Sequence, residues 1–295
     1  MNKMEKLTWK ERKVNIKAAL QIVYLKFFRF CKTKKNYRYK ITLVCVLRDE
    51  ASYVKEWIEY YKELGIEHFC FYDNKSKDNL TEILKPYIAE NLVTYKYVDA
   101  ENHPQGQSYT DAIFTFRNKS EYMLFVDIDE FICMRKQNLR FYDFAKSIFN
   151  KDRYIAGIGM NWLCYGSAGI KNKPNGLVIE SYLNRSDSNY EANKHVKSLI
   201  NPRKVYRGGA HVPFFYKNYY NVNENGERFK GPFNENPKYN NVSVNHYAAK
   251  SLEEQEIKAK KGFGKTKLKH CNHDINDVYD PIMLNIAKII KQRME

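Results

Sequence analysis

The chain has 295 residues, with 50 Lys plus Arg against 34 Asp plus Glu, a formal net charge of +16. Its 43% apolar residues, 24 Tyr and 17 Phe are enough for one large domain or two small ones, and too many for a disordered chain. No low-complexity tract, fixed-period repeat or run of about 18 apolar residues occurs, which excludes collagen, solenoid and propeller architectures and argues against a transmembrane helix.

The positive charge is concentrated at the start. Residues 1–40 hold 13 Lys or Arg and two Glu, whereas residues 41–249 are nearly balanced. A basic arm on a near-neutral body weakens the nucleic-acid reading that the net charge first suggests. Residues 14–30 read as a basic helix that either lies on an anionic membrane surface or packs on the domain. Residues 32–40 read as a linker.

After residue 40 the pattern changes. Ile41–Leu47 is a continuous apolar run of strand length, as expected of a strand buried on both faces. Residues 51–64 place Tyr53, Trp57, Tyr60, Tyr61 and Leu64 at helical spacing. Strands are predicted at 66–72, 92–98 and 123–126, and helices at 78–87, ending near Pro86, and at 107–117. Strands alternating with helices at this spacing imply βαβ units and a mostly parallel sheet. Residues 154–160 suit a further strand. From Trp162 to Asn245 periodicity is poor and loops are expected. Helices are predicted at 252–261 and 281–293, the latter with Pro281 near its first turn. The six cysteines form no C-x-x-C pair and no secretory signal is evident, which suggests a reducing, cytoplasmic compartment.

Val126-Asp-Ile-Asp-Glu-Phe131 follows a short, very apolar strand. Side chains alternate along a strand, so Asp127 and Asp129 are expected to face one way, about 7 Å apart, and to form an oxygen-rich site for a hard divalent ion. An acidic loop that keeps a strand end soluble is the plain alternative. Three more polar clusters fall at strand ends: Arg48-Asp49-Glu50, Asp73 to Asp78, and Asp99. In open α/β sheets ligands bind outside the carboxyl ends of the strands, so these clusters converge on the D-x-D. Arg48 suits a phosphate, and Asp73 suits a base or ribose. Asp78 also suits a helix cap.

Taken in order, several segments resemble the GT-A glycosyltransferases, and most closely the glycosyltransferase family 92 and family-2-like group. They are Leu47-Arg-Asp-Glu50, Glu56-Trp-Ile-Glu-Tyr60, Leu64-Gly-Ile-Glu-His-Phe69 and Tyr72-Asp-Asn-Lys-Ser-Lys-Asp78. After them come Gln107 to Asp111, Asp127-Ile-Asp-Glu-Phe131, Trp162-Leu-Cys-Tyr-Gly-Ser-Ala-Gly169 (with Tyr165 where the group has Phe) and Asn245-His-Tyr-Ala-Ala-Lys-Ser251. The resemblance spans roughly residues 41–262. It implies a GT-A fold: a Rossmann-like, mostly parallel sheet flanked by helices, with a loop-rich acceptor half. The chain then divides into a basic arm at 1–40, a catalytic domain at 41–262 and a helical tail at 263–295.

The resemblance also implies roles. Arg48 and Asp73 would line the nucleotide pocket, with Gln107 and Asp111 near the nucleotide or donor sugar. Asp127 and Asp129 would hold Mn²⁺ or Mg²⁺ against the donor diphosphate, with His246 as a further metal ligand and His211 as its rival. Lys250 would meet the departing diphosphate, where a cation stabilises growing negative charge. For the base that takes the acceptor proton, Glu180, Asp187 and Glu191 are the candidates, and Glu180 is preferred. Trp162 and Tyr165 could stack on a sugar or fill the core.

The expected activity is metal-dependent, inverting transfer of a hexose from a UDP-sugar, such as UDP-galactose or UDP-glucose, to a saccharide. A bacterial surface glycan such as lipooligosaccharide or capsule is the expected acceptor, with the arm on an anionic membrane and no nucleic-acid partner. The alternatives are an inactive GT-A-like binding module, a nucleic-acid binder using the arm, and a metal-dependent nucleotidyltransferase or phosphohydrolase.

Overall fold

A computed structural model describes residues 36–100, 104–260 and 273–294. Most of the basic arm, and the start of the expected helical tail, lie outside the described residues. The described residues from Tyr37 onward belong to one unit.

The first half is a run of βαβ units, as the spacing predicts: β1 (Tyr39–Leu47), α1 (Ala51–Glu63), β2 (His68–Asp73), α2 (Leu80–Ala89), β3 (Val93–Tyr97), α3 (Pro104–Phe116) and β4 (Ser120–Phe125). β1 lies between β2 and β4, parallel to both, and β3 continues the sheet beyond β2. Side chains alternate along a strand, so β1 serves two cores. Ile41, Leu43 and Cys45 join Phe69, Phe71 and Leu124 on the face that α1 covers. Val44 joins Cys70, Met123 and Phe125 on the other face, with Tyr109, Ile113 and Phe116 of α3. A continuous apolar run is the only sequence that satisfies both faces.

The second half holds more strands than its periodicity suggests. β6 (Ile155–Cys164) and β8 (Val196–Ile200) extend the sheet, with β8 antiparallel between β4 and β6. β13 (Val242–His246) runs parallel to β6 and antiparallel to β5 (Glu130–Met134). β8 and β13 escape a sequence reading because each is five residues long and carries buried polar groups: Lys197 and Ser198 in one, Ser243 and Asn245 in the other. The mixed α/β architecture with a mainly parallel sheet agrees with the fold that the resemblance implies.

Two local expectations are corrected. Helix α2 does not end near Pro86 but continues to Ala89. Pro86 lies on the exposed side, where the carbonyl left without an N–H donor can turn to water. β4 ends at Phe125, so Asp127 and Asp129 sit in the turn between β4 and β5, where Glu130 N–H donates to the Asp127 carbonyl at 3.1 Å. They do not share one strand face.

The Leu64–Phe69 motif proves to be core. His68 stacks on Tyr39, with centroids 4.4 Å apart, and its Nε2 lies 2.9 Å from Thr94 Oγ1. Burial pushes its imidazole down to about 4, against the ordinary 6.5. The unfolded chain therefore takes up this proton first as pH falls. Stability contributed by His68 is complete above about pH 6.5 and lost towards pH 4, by roughly 3 kcal/mol at the acid end. Thermal melts across that window should show the slope, and His68→Gln should flatten it.

Candidate active site

Helix α1 builds the site from behind. Trp57 Nε1 and the Tyr61 hydroxyl both donate to the Glu130 carbonyl, at 3.1 and 3.0 Å. Tyr60 donates to the Ile132 carbonyl at 2.6 Å, and Ile132 N–H donates to Tyr61 Oη at 3.1 Å. Phe131 packs its ring against Tyr60 and Tyr247. The Trp57-Ile-Glu-Tyr-Tyr61 motif is thus a clamp on the strand that follows the D-x-D.

The antiparallel pairing of β13 with β5 then brings in the histidine. Asn245 faces Phe131 and His246 faces Glu130, while Tyr247 N–H donates to the Asp129 carbonyl at 2.8 Å. This register sets His246 Nε2 at 3.7 Å from Asp129 Oδ1. On the other oxygen, Lys258 Nζ lies 3.0 Å from Asp129 Oδ2, reaching from helix α6 (Leu252–Lys260). Burial pushes the Asp129 carboxyl up, but the nearby ammonium groups, Lys258 above all, outweigh it and hold the group well below the usual carboxylate range. Burial pushes His246 down to about 3, so its ring is neutral. Its Nδ1 is buried and has no hydrogen-bond partner among the described residues.

Asp127 has different neighbours. Its Oδ2 receives Lys197 Nζ at 2.6 Å, and its Oδ1 receives Gln105 Nε2 at 2.8 Å and the Tyr109 hydroxyl at 3.5 Å. Lys197 has a side chain only 1% exposed and also meets Glu130 Oε2 at 3.3 Å. Burial lowers the Lys197 ammonium, yet the charges of Asp127 and Glu130 reverse that and raise it. Burial pushes the Glu130 carboxyl up, against the pull of Lys197.

The remaining predicted residues divide. Arg48 follows β1; its Nε is buried, lacks a hydrogen-bond partner among the described residues, and lies 3.7 Å from Asp49 Oδ2. Asp73 is buried at the end of β2, accepting from Ser76 N–H at 2.8 Å and the Tyr95 hydroxyl at 2.5 Å. Asp78 does reach the next helix, at 3.3 Å from Leu80 N–H, but its shorter bond, at 2.8 Å, caps Ala51 N–H of α1. An open depression of about 640 Å³ lies beside them, lined by Asp49, Ser52, Lys77 and Asp78 among others.

Four expectations need correcting. Gln107 is exposed, and the glutamine on the site is Gln105. Two helical residues span about 200°, so Gln107 points away from Tyr109, whereas Gln105, four residues before it, shares its face. Asp111 lies on the outer side of α3 and pairs with Lys96 and the Tyr72 hydroxyl. Lys250 is buried with its ammonium 3.9 Å from the centre of the Tyr53 ring, and the lysine on Asp129 is Lys258. Glu180 commits one oxygen to structure: Oε1 accepts Leu177 N–H at 2.9 Å, closing the cap of a one-turn helix, and pairs with Lys291 at 2.6 Å.

Trp162 stands behind His246 at 4.2 Å between ring centres, and stacks on His195 at 4.5 Å. His211 meets the same indole at 5.5 Å, with its Nδ1 3.0 Å from the Val196 carbonyl, so His246 and not His211 is the imidazole at Asp129. Tyr165 is core, tilted on Tyr247. Gly166 has a packing reason: a Cβ there would stand 2.5 Å from the Ile275 carbonyl. Ser167 then donates to Asp274 at 2.8 Å.

Residues 42–279 match the family profile described as glycosyltransferase family 92. The chain belongs to that family. Relatives include a family 92 protein of Ricinus communis, 24% identical over 144 residues, covering 49% of this chain and 26% of the relative. An Arabidopsis thaliana family 92 protein is 25% identical over 175 residues, covering 57% and 30%. The matched part of the chain therefore spans under a third of these relatives' length. Among solved structures, Staphylococcus aureus TarS 1–349 overlaps 55% of this chain and 47% of its own, at 12% identity and a TM-score of 0.36. The mannosyltransferase PcManGT from Pyrobaculum calidifontis, solved with GDP-Man and Mn²⁺, overlaps 62% and 52% at 11% identity and a TM-score of 0.33.

Proposed function

We propose that this family 92 chain transfers a hexose from a nucleoside diphosphate sugar, preferably UDP-linked, to a saccharide hydroxyl, at a divalent-metal site built on Asp129 and His246. The observation that carries the reading is the 3.7 Å approach of the His246 imidazole to the Asp129 carboxylate, set by the pairing of β13 with β5. A carboxylate oxygen with an imidazole nitrogen suits Mn²⁺ better than Mg²⁺, which takes oxygen ligands and keeps its waters. The residues present therefore fit such an ion, which when bound would supply positive charge against the diphosphate.

The chain's own groups do the rest. As the anomeric C–O bond breaks, its electron pair goes to the diphosphate oxygen, and the acceptor hydroxyl oxygen forms the new bond while its O–H bond breaks and the proton passes to water. Among the described residues, the Lys258 ammonium, 3.0 Å from Asp129 Oδ2, is placed to meet that growing charge. Arg48, partly exposed beside Asp49, offers its guanidinium to phosphate. Inversion at the anomeric carbon is what the family resemblance implies. A membrane-linked surface glycan as acceptor rests on the basic arm alone, and deletion of residues 1–40 should abolish salt-dependent binding to anionic liposomes.

Nucleotide release from a panel of UDP- and GDP-sugars tests the reading. Metal-dependent release from at least one sugar is expected, and none from any under Mn²⁺ or Mg²⁺ would defeat it. Lys258→Met should lower turnover about 10- to 100-fold with little change in melting temperature, because its side chain is 40% exposed. Lys250→Met should instead lower the melting temperature, since it strips a buried cation from the Tyr53 ring.

A further inference from the structure

The two carboxylates of the D-x-D differ in what the chain has already given them. Asp129 keeps Oδ1 open to His246 at 3.7 Å. Both oxygens of Asp127 are taken, Oδ2 by Lys197 at 2.6 Å and Oδ1 by Gln105 at 2.8 Å. Lys197 cannot turn to water. Its side chain is 1% exposed, and Glu130 Oε2 at 3.3 Å and the Ala210 carbonyl at 3.4 Å fix its other sides. Glu130 is held in turn, because its Oε2 accepts Asp127 N–H at 2.7 Å. The lysine, the two acids and the turn backbone form a closed ring of contacts.

We propose that Lys197 is a positioning residue that withholds Asp127 from the metal, so that the ion is held by Asp129 and His246 and not by the whole D-x-D. This rests on the donor site proposed above. A buried ammonium at hydrogen-bond distance is a permanent counter-ion. A divalent cation at the same oxygen would have to displace it against like-charge repulsion, in a place where the lysine has no water to retreat to. Asp127 is left as a fixed hydrogen-bond acceptor, oriented from three sides. Lys197 thereby converts a symmetric pair of acids into one metal ligand and one post.

Manganese binding to the full-length chain, followed by water-proton relaxation with and without UDP, tests this apart from turnover. Asp129→Asn should abolish Mn²⁺ binding. Asp127→Asn should leave the Mn²⁺ affinity within about threefold, because an amide still accepts from Lys197. Lys197→Met should bind Mn²⁺ at least tenfold more tightly than the wild type without nucleotide, because the freed carboxylate becomes a ligand. Lys197→Arg, which keeps the charge, should not show that gain, and adding Asp127→Asn to Lys197→Met should erase it. Loss of Mn²⁺ binding in Asp127→Asn equal to that in Asp129→Asn would overturn the proposal. So would a folded Lys197→Met with unchanged or weaker Mn²⁺ affinity. Absence of UDP binding in the wild type would instead strike the donor reading, while the Mn²⁺ comparison would still judge Lys197.

Discussion

Asp129→Asn should reduce turnover by two to three orders of magnitude and leave a folded protein. The substitution removes the charge that holds Lys258, and with it the carboxylate oxygen that faces His246. Loss of a single group that stabilises transition-state charge costs about 10²–10³ in rate. Stability should change little, because Lys258 is exposed enough to hydrate its ammonium and the Asp129 carbonyl keeps its bond from Tyr247 N–H. Initial rates paired with thermal melts separate the two effects. A variant with near-wild-type rate would remove Asp129 from the mechanism.

The largest loss of stability is expected at Trp57→Ala. Its indole is fully buried, packs on Tyr61, Phe69 and Phe71, and donates to the Glu130 carbonyl. Truncating a buried Trp costs about 3–5 kcal/mol, and the lost hydrogen bond adds about 1. Against a total stability of about 5–15 kcal/mol, that should lower the melting temperature by roughly 10 °C or more. Trp57→Phe keeps most of the apolar bulk and should cost about 1–2 kcal/mol. Donor binding should weaken in both, because the clamp holds the strand that carries Glu130 and flanks the D-x-D. Melts of the two variants beside the wild type check the order.

Legibility in the sequence followed the physics of each part. The βαβ half was readable because β1, β2 and most of β4 are buried on both faces, and such strands write themselves as apolar runs between helical spacings. β8 and β13 were not, because they carry the buried polar groups that serve the site, and these break the apolar pattern. The ordered motifs led to the right family. They could not say which lysine meets which aspartate. Lys197 and Lys258 reach the D-x-D from positions 70 and 129 residues away in sequence. Lys250 was favoured for sitting in a motif, yet its positive φ of 50° and its burial aim it at Tyr53. Gln105 was recoverable, since helical periodicity from Tyr109 places it on the buried face. Glu180 looked available because a capping contact three residues back and a partner 111 residues on leave no trace in a local reading.

Calorimetric titration of UDP into the full-length protein, with and without Mn²⁺ and with GDP as the control, tests the central claim most directly. UDP binding should require the metal and exceed that of GDP. UDP binding of equal strength with the metal chelated away, or no binding of either nucleotide under any metal condition, would contradict it.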